Sequence, residues 1–176
     1  EYQINYITEG AGILETKKGR YRINAGTMMI IRPGAWHRYK PTDSIGWVET
    51  YVGFNGDLAG PFLDKVLLSQ DQPIIRCSIS EEYIDTYNKL FNLVIQENPG
   101  FQQVASGMLI KLLGYLISFQ KQKHFSGNKI EKIIREARFQ MQENIENKIN
   151  LQLLASKNNI GYSYFRKMFK KYTGIS

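Results

Sequence analysis

From residue 1 to about residue 54, apolar and polar positions alternate in short runs, each closed by glycine or a proline-glycine pair: YQINYITEG, GILETKKG, RYRINAG, TMMIIRPG, AWHRYKP and GWVETYVGF. Period-two alternation rich in Tyr, Ile, Val and Thr marks strands half buried on one face. Their close, even spacing predicts an antiparallel β-sandwich or small barrel. Turns are expected at Glu9 to Gly12, Lys17 to Gly19, Ala25-Gly26 and Pro33-Gly34. A short helix from about Leu58 to Leu68 and a strand from Ile74 to Cys77 close the unit.

After Ser80 the period changes to that of a helix. Ser80 is placed to cap it, Glu81 and Glu82 favour its positive end, and Ile84, Tyr87, Phe91 and Val94 recur at steps of three and four. Asn98-Pro99-Gly100 ends it. The next helix, about Phe101 to Lys123, has eight apolar or aromatic residues among the eleven from Leu109 to Phe119, wider than one buried stripe. A small barrel covers only one side of such a helix. The other side is open to a second copy of the chain, with Met108, Leu109, Leu112, Leu113 and Leu116 as candidate dimer contacts. A monomer's own core would account for the same residues.

A short linker, His124 to Gly127, precedes a helix opened by Asn128 and Glu131 at capping-box spacing, with Ile130, Ile133, Ile134, Ala137, Met141 and Ile145 on one face. Asn150 then caps a short helix reaching about Lys157. Asn158-Asn159 suit a tight turn, and Gly161 opens a second helix running to Thr173. This is the layout of a helix-turn-helix, in which Ala155 permits close crossing and the second helix enters a major groove. Phe165, Met168, Phe169 and Tyr172 share the face to be packed. Ser163, Arg166, Lys167 and Lys170 share the opposite, cationic face, where Arg reads guanine edges and Lys meets base or phosphate. A solvated amphipathic helix has the same pattern.

Composition sharpens this picture. A chain of 176 residues, 43% hydrophobic and 22% charged, is neither disordered nor collagen-like. One cysteine, Cys77, excludes an internal disulfide framework and a thiolate metal site, and fits a reducing, cytoplasmic location. No apolar run approaches the roughly 20 residues of a membrane span. The net charge of +7 is divided unevenly: residues 1–110 carry 10 basic and 12 acidic side chains, residues 111–176 carry 13 and 4. Such a basic tail is the footprint expected of a duplex DNA partner, and also that of a membrane-facing or merely solvated tail.

Alternation places His37 and Tyr39 on one face of their strand, and Glu49 and Tyr51 on one face of theirs. Aromatic walls with a carboxylate suit a sugar, whose C–H faces stack on rings and whose hydroxyls need partners. Ordinary packing of a small barrel is the alternative.

Two stretches carry a family resemblance. Gly26 through Pro33-Gly34 to His37 resembles the second motif of cupins. The whole segment Tyr2 to Phe54, with His37-Arg38-Tyr39 and the strand Trp47 to Phe54, is similar to the ligand-binding barrel of AraC-type transcription regulators. Leu154-Ala155, Tyr164-Phe165, Phe169-Lys170-Lys171 and Thr173-Gly174-Ile175-Ser176 resemble the first helix-turn-helix of an AraC/XylS-type regulator. The resemblance implies that Tyr39, Glu49 and Tyr51 match effector-pocket positions of sugar-binding members, that Ser163, Arg166 and Lys167 contact bases, that Lys170 and Lys171 meet phosphate, and that helices after the barrel dimerise. Enzymatic cupins hold their metal with two or three imidazoles plus a carboxylate. Here His37 is the barrel's one histidine and the first cupin motif supplies no His-x-His pair, so no metal and no cofactor are expected. The family's second helix-turn-helix is missing and the chain begins inside a strand, which implies a piece of a longer regulator.

The expected fold is therefore α+β. A cupin-like antiparallel barrel (residues 1–79) leads to a helical dimerisation region (80–124) and a partial helix-turn-helix segment (125–176). The expected function is sequence-specific transcription regulation by a homodimer responding to a small molecule, a sugar first among them. A cupin-fold enzyme and a sugar-binding dimerisation module are the alternatives.

Overall fold

One long strand organises the first half of the chain. β1 (Tyr2–Thr16) pairs through its first half with β3 (Thr27–Ile31) and β5 (Trp47–Phe54), and through its second half with β2 (Gly19–Asn24) and β4 (His37–Pro41). β6 (Ile74–Arg76) extends the sheet beyond β3, and every pairing is antiparallel. In the computed structural model, residues 1–66, 73–125, 127–143 and 149–175 are described. They fall into two units, Glu1–Gln120 and Lys121–Ser176. Leu67, Leu68, Ser126, Ile145 and Ser176 lie outside the described residues.

The turn expected at Glu9 to Gly12 is instead a bulge within β1, where the register against β5 shifts between Ile7 and Glu9. Gly10 adopts a φ of +81°, and a Cβ there would collide with the Gly46 carbonyl. A Cβ on Gly12 would meet the Lys40 carbonyl and the Trp47 ring. These glycines bend one strand and let its neighbours approach closely. The strand thereby serves two halves of one antiparallel curled sheet.

Alternation along β1 sends Ile4 and Tyr6 to one face of the sheet. There they join Met28, Ile30 and Phe54 under α1 (Ala59–Val66), α2 (Glu81–Gln96) and α3 (Phe101–Phe125), packed by Leu63, Tyr83, Leu90 and Leu112. The Tyr6 hydroxyl accepts from the Ser80 amide (3.0 Å) and donates to the Ser78 carbonyl (3.2 Å), tying the sheet to the start of α2. The Ser80 hydroxyl caps α2 by accepting from the Tyr83 amide (3.3 Å). Ile7, Leu14, Ile23, Met29 and Ile31 line the opposite, inner face.

The buried seam of α2 is Tyr83, Thr86 and Leu90. It is rotated from the expected Ile84, Tyr87, Phe91 and Val94, of which Phe91 and Val94 are exposed. Tyr83 meets Tyr6 edge to face at 5.2 Å, and Thr86 satisfies its hydroxyl by donating to the Glu82 carbonyl (2.8 Å). A polar side chain at the centre of the seam is invisible to apolar periodicity. On α3, Leu112, Leu113 and Leu116 are buried in this same core, while Met108 and Leu109 are half-buried against it. The first three therefore stabilise the unit itself and are not surface that a partner could touch.

The second unit contains α4 (Lys129–Glu143), α5 (Leu151–Lys157) and α6 (Tyr162–Thr173). Its core joins Phe125, Ile130, Ile133, Ile134 and Ala137 to Leu154, Ala155 and Phe165. Asn150 caps α5 by accepting from the Leu153 amide (2.9 Å), and Asn159 takes the left-handed conformation (φ +56°) in the turn before α6. Among the described residues, no helix is long and apolar enough to cross a membrane.

Candidate functional site

The inner face of the sheet carries a polar cluster built by three strands. β1 contributes Asn5, fully buried, by placing it between Ile4 and Tyr6, which point the other way. Register sets Asn5 opposite Tyr51 of β5, and Leu14 opposite Tyr39 of β4. The Asn5 amide nitrogen donates to the Tyr39 hydroxyl (3.2 Å) and to Oε1 of Glu49. The Trp47 indole donates to Oε2 of the same carboxylate (3.1 Å). Glu49 is thus held by a hydrogen bond on each oxygen. The rings of Tyr39 and Trp47 lie 6.0 Å apart, and His37 stacks on Tyr39 with centroids 6.2 Å apart.

Burial, followed by the neighbouring charge of Glu49, raises the Tyr39 pKa above the ordinary tyrosine value, against a smaller opposing contribution from the Asn5 hydrogen bond. Tyr39 therefore remains a neutral hydroxyl at physiological pH. Asn5 Oδ1 is buried and has no hydrogen-bond partner in the protein. A buried acceptor left unanswered costs about 1–3 kcal/mol, so the cluster gains from a donor supplied by a hydroxyl-bearing ligand or water. Tyr51 shares the inward side of β5 but stands at the rim, 43% exposed. Its hydroxyl donates to Glu1 (3.0 Å), and that bond, more than its slight burial, raises its pKa.

Of the four residues singled out for a ligand, His37, Tyr39 and Glu49 are brought into one cluster and Tyr51 borders it. Asn5 and Trp47 are members that the candidate set omitted. The available signal for Asn5 was an amide interrupting the apolar series Ile4, Tyr6, Ile7 on a strand. Its partners depend on a β1–β5 register set by the bulge, which no local pattern announces.

In the second unit, Ser163, Arg166, Lys167, Lys170 and Lys171 are all exposed on α6. Phe165 is buried, and Met168, Phe169 and Tyr172 pack beside it. The Arg166 guanidinium lies over the Tyr162 ring, 6.0 Å from its centroid, which orders a side chain otherwise free in solvent. On α4, Arg135 bonds both Glu131 (2.7 Å) and the Tyr172 hydroxyl (3.3 Å), holding α6 against α4 from its far side. The cationic side chains of α6 stand clear of these packing contacts.

The AraC-like ligand binding domain family model matches residues 1–136. The lactose operon transcription activator of Staphylococcus xylosus is 25% identical over 188 residues, covering 98% of this chain and 63% of the relative. The MmsAB operon regulatory protein of Pseudomonas aeruginosa is 23% identical over 180 residues, covering 99% of this chain and 56% of the relative. The chain thus spans less than two thirds of either relative's length. Among solved structures, the AraC-like transcriptional activator CuxR aligns with a TM-score of 0.43 at 11% identity, over 98% of this chain and 67% of that one.

Proposed function

The chain belongs to the AraC-like ligand binding domain family, and from that premise we propose that it is the effector-sensing portion, with the first DNA-reading helices, of a transcription regulator acting in the cytoplasm. The observation that carries the reading is the separation of faces on α6, on the same chain as the family's ligand domain. The aromatic side of α6 is committed to the core, and Ser163, Arg166, Lys167 and Lys170 are left together in solvent. In this reading α6 enters the major groove, Ser163, Arg166 and Lys167 reach base edges, and Lys170 and Lys171 hold phosphate. The effector, a sugar, is held on the inner sheet face by Tyr39, Glu49, Asn5 and the rings of His37 and Trp47, with Tyr51 at the rim. Support for a sugar is the aromatic and hydroxyl-matching chemistry of that cluster, together with the similarity to a lactose operon activator. The protein acts as a homodimer through the outer face of α3, where Val104 and Ile110 are exposed. Effector binding alters transcription by favouring one arrangement of the paired DNA-reading helices, and its leverage equals its difference in affinity for the two arrangements.

The test is selection of duplexes from a random pool, followed by affinity measured across a salt series. A steep fall of affinity with salt, and a selected consensus, are expected. Arg166→Ala is expected to cost about 1–3 kcal/mol on the consensus and to relax base preference at one position. Equal loss on every sequence would assign Arg166 to phosphate. Absence of any selected consensus, with salt-insensitive binding, would end the DNA reading.

A further inference from the structure

The inner cluster holds one formal charge, and among the described residues no ion pair answers it. The two hydrogen bonds on the Glu49 carboxylate come from neutral donors, the Asn5 amide and the Trp47 indole. Basic side chains of the neighbouring strands form their ion pairs elsewhere. The alternation that turns Tyr39 inward on β4 turns Arg38 and Lys40 outward, and the alternation on β2 turns Arg20 away from the inner face. Arg38 and Arg20 share Glu15 (2.7 and 3.6 Å), and Lys40 lies 4.0 Å from Asp43.

A second observation gives the kind of group that is missing. Asn5 is fully buried, and its Oδ1 has no hydrogen-bond partner in the protein. The nitrogen of the same amide meets Glu49, so two acceptors, Oδ1 and the carboxylate, stand side by side. A single hydroxyl carries one proton and answers one of them. An ammonium carries three protons and a positive charge, and answers both. The walls suit the same group. Tyr39 and Trp47 set their rings 6.0 Å apart beside the carboxylate, and aromatic faces attract a cation as well as the C–H face of a sugar.

We propose that the effector held at this cluster is an amino sugar, with its protonated amine against Glu49 and Asn5 Oδ1 and its ring on the aromatic walls. The inference rests on the reading of the cluster as a sugar site and adds the group that the sugar bears. A neutral sugar leaves the Glu49 charge without a counter-charge. A sugar acid or sugar phosphate sets a second negative charge against it, which like-charge repulsion disfavours. Acetylation of the amine removes the positive charge and two of its three protons. A linear amine leaves the rings uncovered.

Calorimetric titration of the whole chain at pH 7 with two matched sets tests it: glucose, glucosamine and N-acetylglucosamine, and galactose, galactosamine and N-acetylgalactosamine. In at least one set the amine is expected to bind saturably with one-to-one stoichiometry. Its affinity should exceed that of its hydroxyl and acetamide counterparts about tenfold or more, the difference between a charge-assisted hydrogen bond and a neutral one. Glu49→Gln keeps the size of the side chain and removes its charge, and is expected to bring the amine down to the affinity of the hydroxyl form. An unchanged urea transition, followed by tryptophan fluorescence, shows that this variant folds. The comparison on the parent chain needs no variant and decides alone if it does not. A hydroxyl or acetamide form that binds as tightly as its amine overturns this inference and leaves the sugar reading standing. No saturable binding by any of these sugars removes both. An amine preference that survives Glu49→Gln also overturns the inference, by moving the counter-charge to another carboxylate.

Discussion

Replacing Asn5 by alanine and by aspartate separates two properties of the inner cluster, its hydrogen bonding and its charge. In the parent chain the Asn5 amide donates to neutral Tyr39 and to the Glu49 carboxylate, while its own oxygen has no partner. A neutral hydrogen bond contributes about 1 kcal/mol, one to a charged group about 1.5–3, and an unanswered buried acceptor costs about 1–3. Asn5→Ala removes all three, so the losses and the relief partly cancel, and a net destabilisation of about 1–2 kcal/mol is expected. Asn5→Asp has nearly the same shape but turns the donor into a second carboxylate against Glu49. Uncompensated charge at a buried site costs about 3–5 kcal/mol, so aspartate should be worse than alanine at neutral pH. The pH dependence fixes the sign. Two adjacent carboxylates raise one folded-state pKa above its unfolded value, so the folded variant holds a proton that the unfolded chain has released. Lowering the pH from 7 to 5 should then narrow the stability gap between Asn5→Asp and the parent. Urea unfolding followed by tryptophan fluorescence measures this in the first unit alone, because both tryptophans, Trp36 and Trp47, lie there. An aspartate variant no less stable than the alanine one at pH 7, or a gap that widens toward pH 5, would show that water reaches Glu49 and that the cluster is not the buried site described.

Burial pushes the Cys77 thiol up to about 11, so at pH 8 iodoacetamide should label it about a hundredfold more slowly than free cysteine, with the normal rate returning in urea. Ala155 is fully buried where α5 meets its neighbours, and Ala155→Leu should cost about 1–3 kcal/mol by overpacking, seen as an earlier loss of helical circular dichroism with the tryptophan transition unmoved. Leu113→Glu, at 3% exposure, should unfold the first unit, whereas Ile110→Glu, at 43%, should fold normally and convert dimer to monomer in light scattering. A dimer that survives Ile110→Glu would remove the outer face of α3 from the interface.

The features legible in the sequence are those set within one turn or one helix. Ser80, Asn150 and Asn159 occupy the capping and turn positions that their chemistry favours, because such preferences act over two or three residues. The division of α6 into an aromatic and a cationic side was legible for the same reason: a period of 3.6 is written into Phe165, Met168, Phe169 and Tyr172 themselves. Features that depend on distant partners are not written in any local pattern. Gly10 and Gly12 looked like the centre of a turn, yet their lack of a Cβ serves close approach of Gly46 and Lys40, more than 25 positions away, and so keeps β1 continuous. That continuity sets the register that brings Asn5 to Glu49, which is why the pattern yields His37, Tyr39, Glu49 and Tyr51 as a pocket but not the hydrogen bonds that Asn5 and Trp47 make to Glu49. On α3 the width of the apolar surface is legible, but it leaves the leucines either to a second chain or to the chain's own core. The structure places Leu112, Leu113 and Leu116 in the core that also holds Tyr83 and Phe54. The physical consequence runs back to function. Substitutions at those leucines report on folding of the first unit, and only side chains such as Val104 and Ile110, which are exposed and leave the core intact, can test the proposed pairing of two copies.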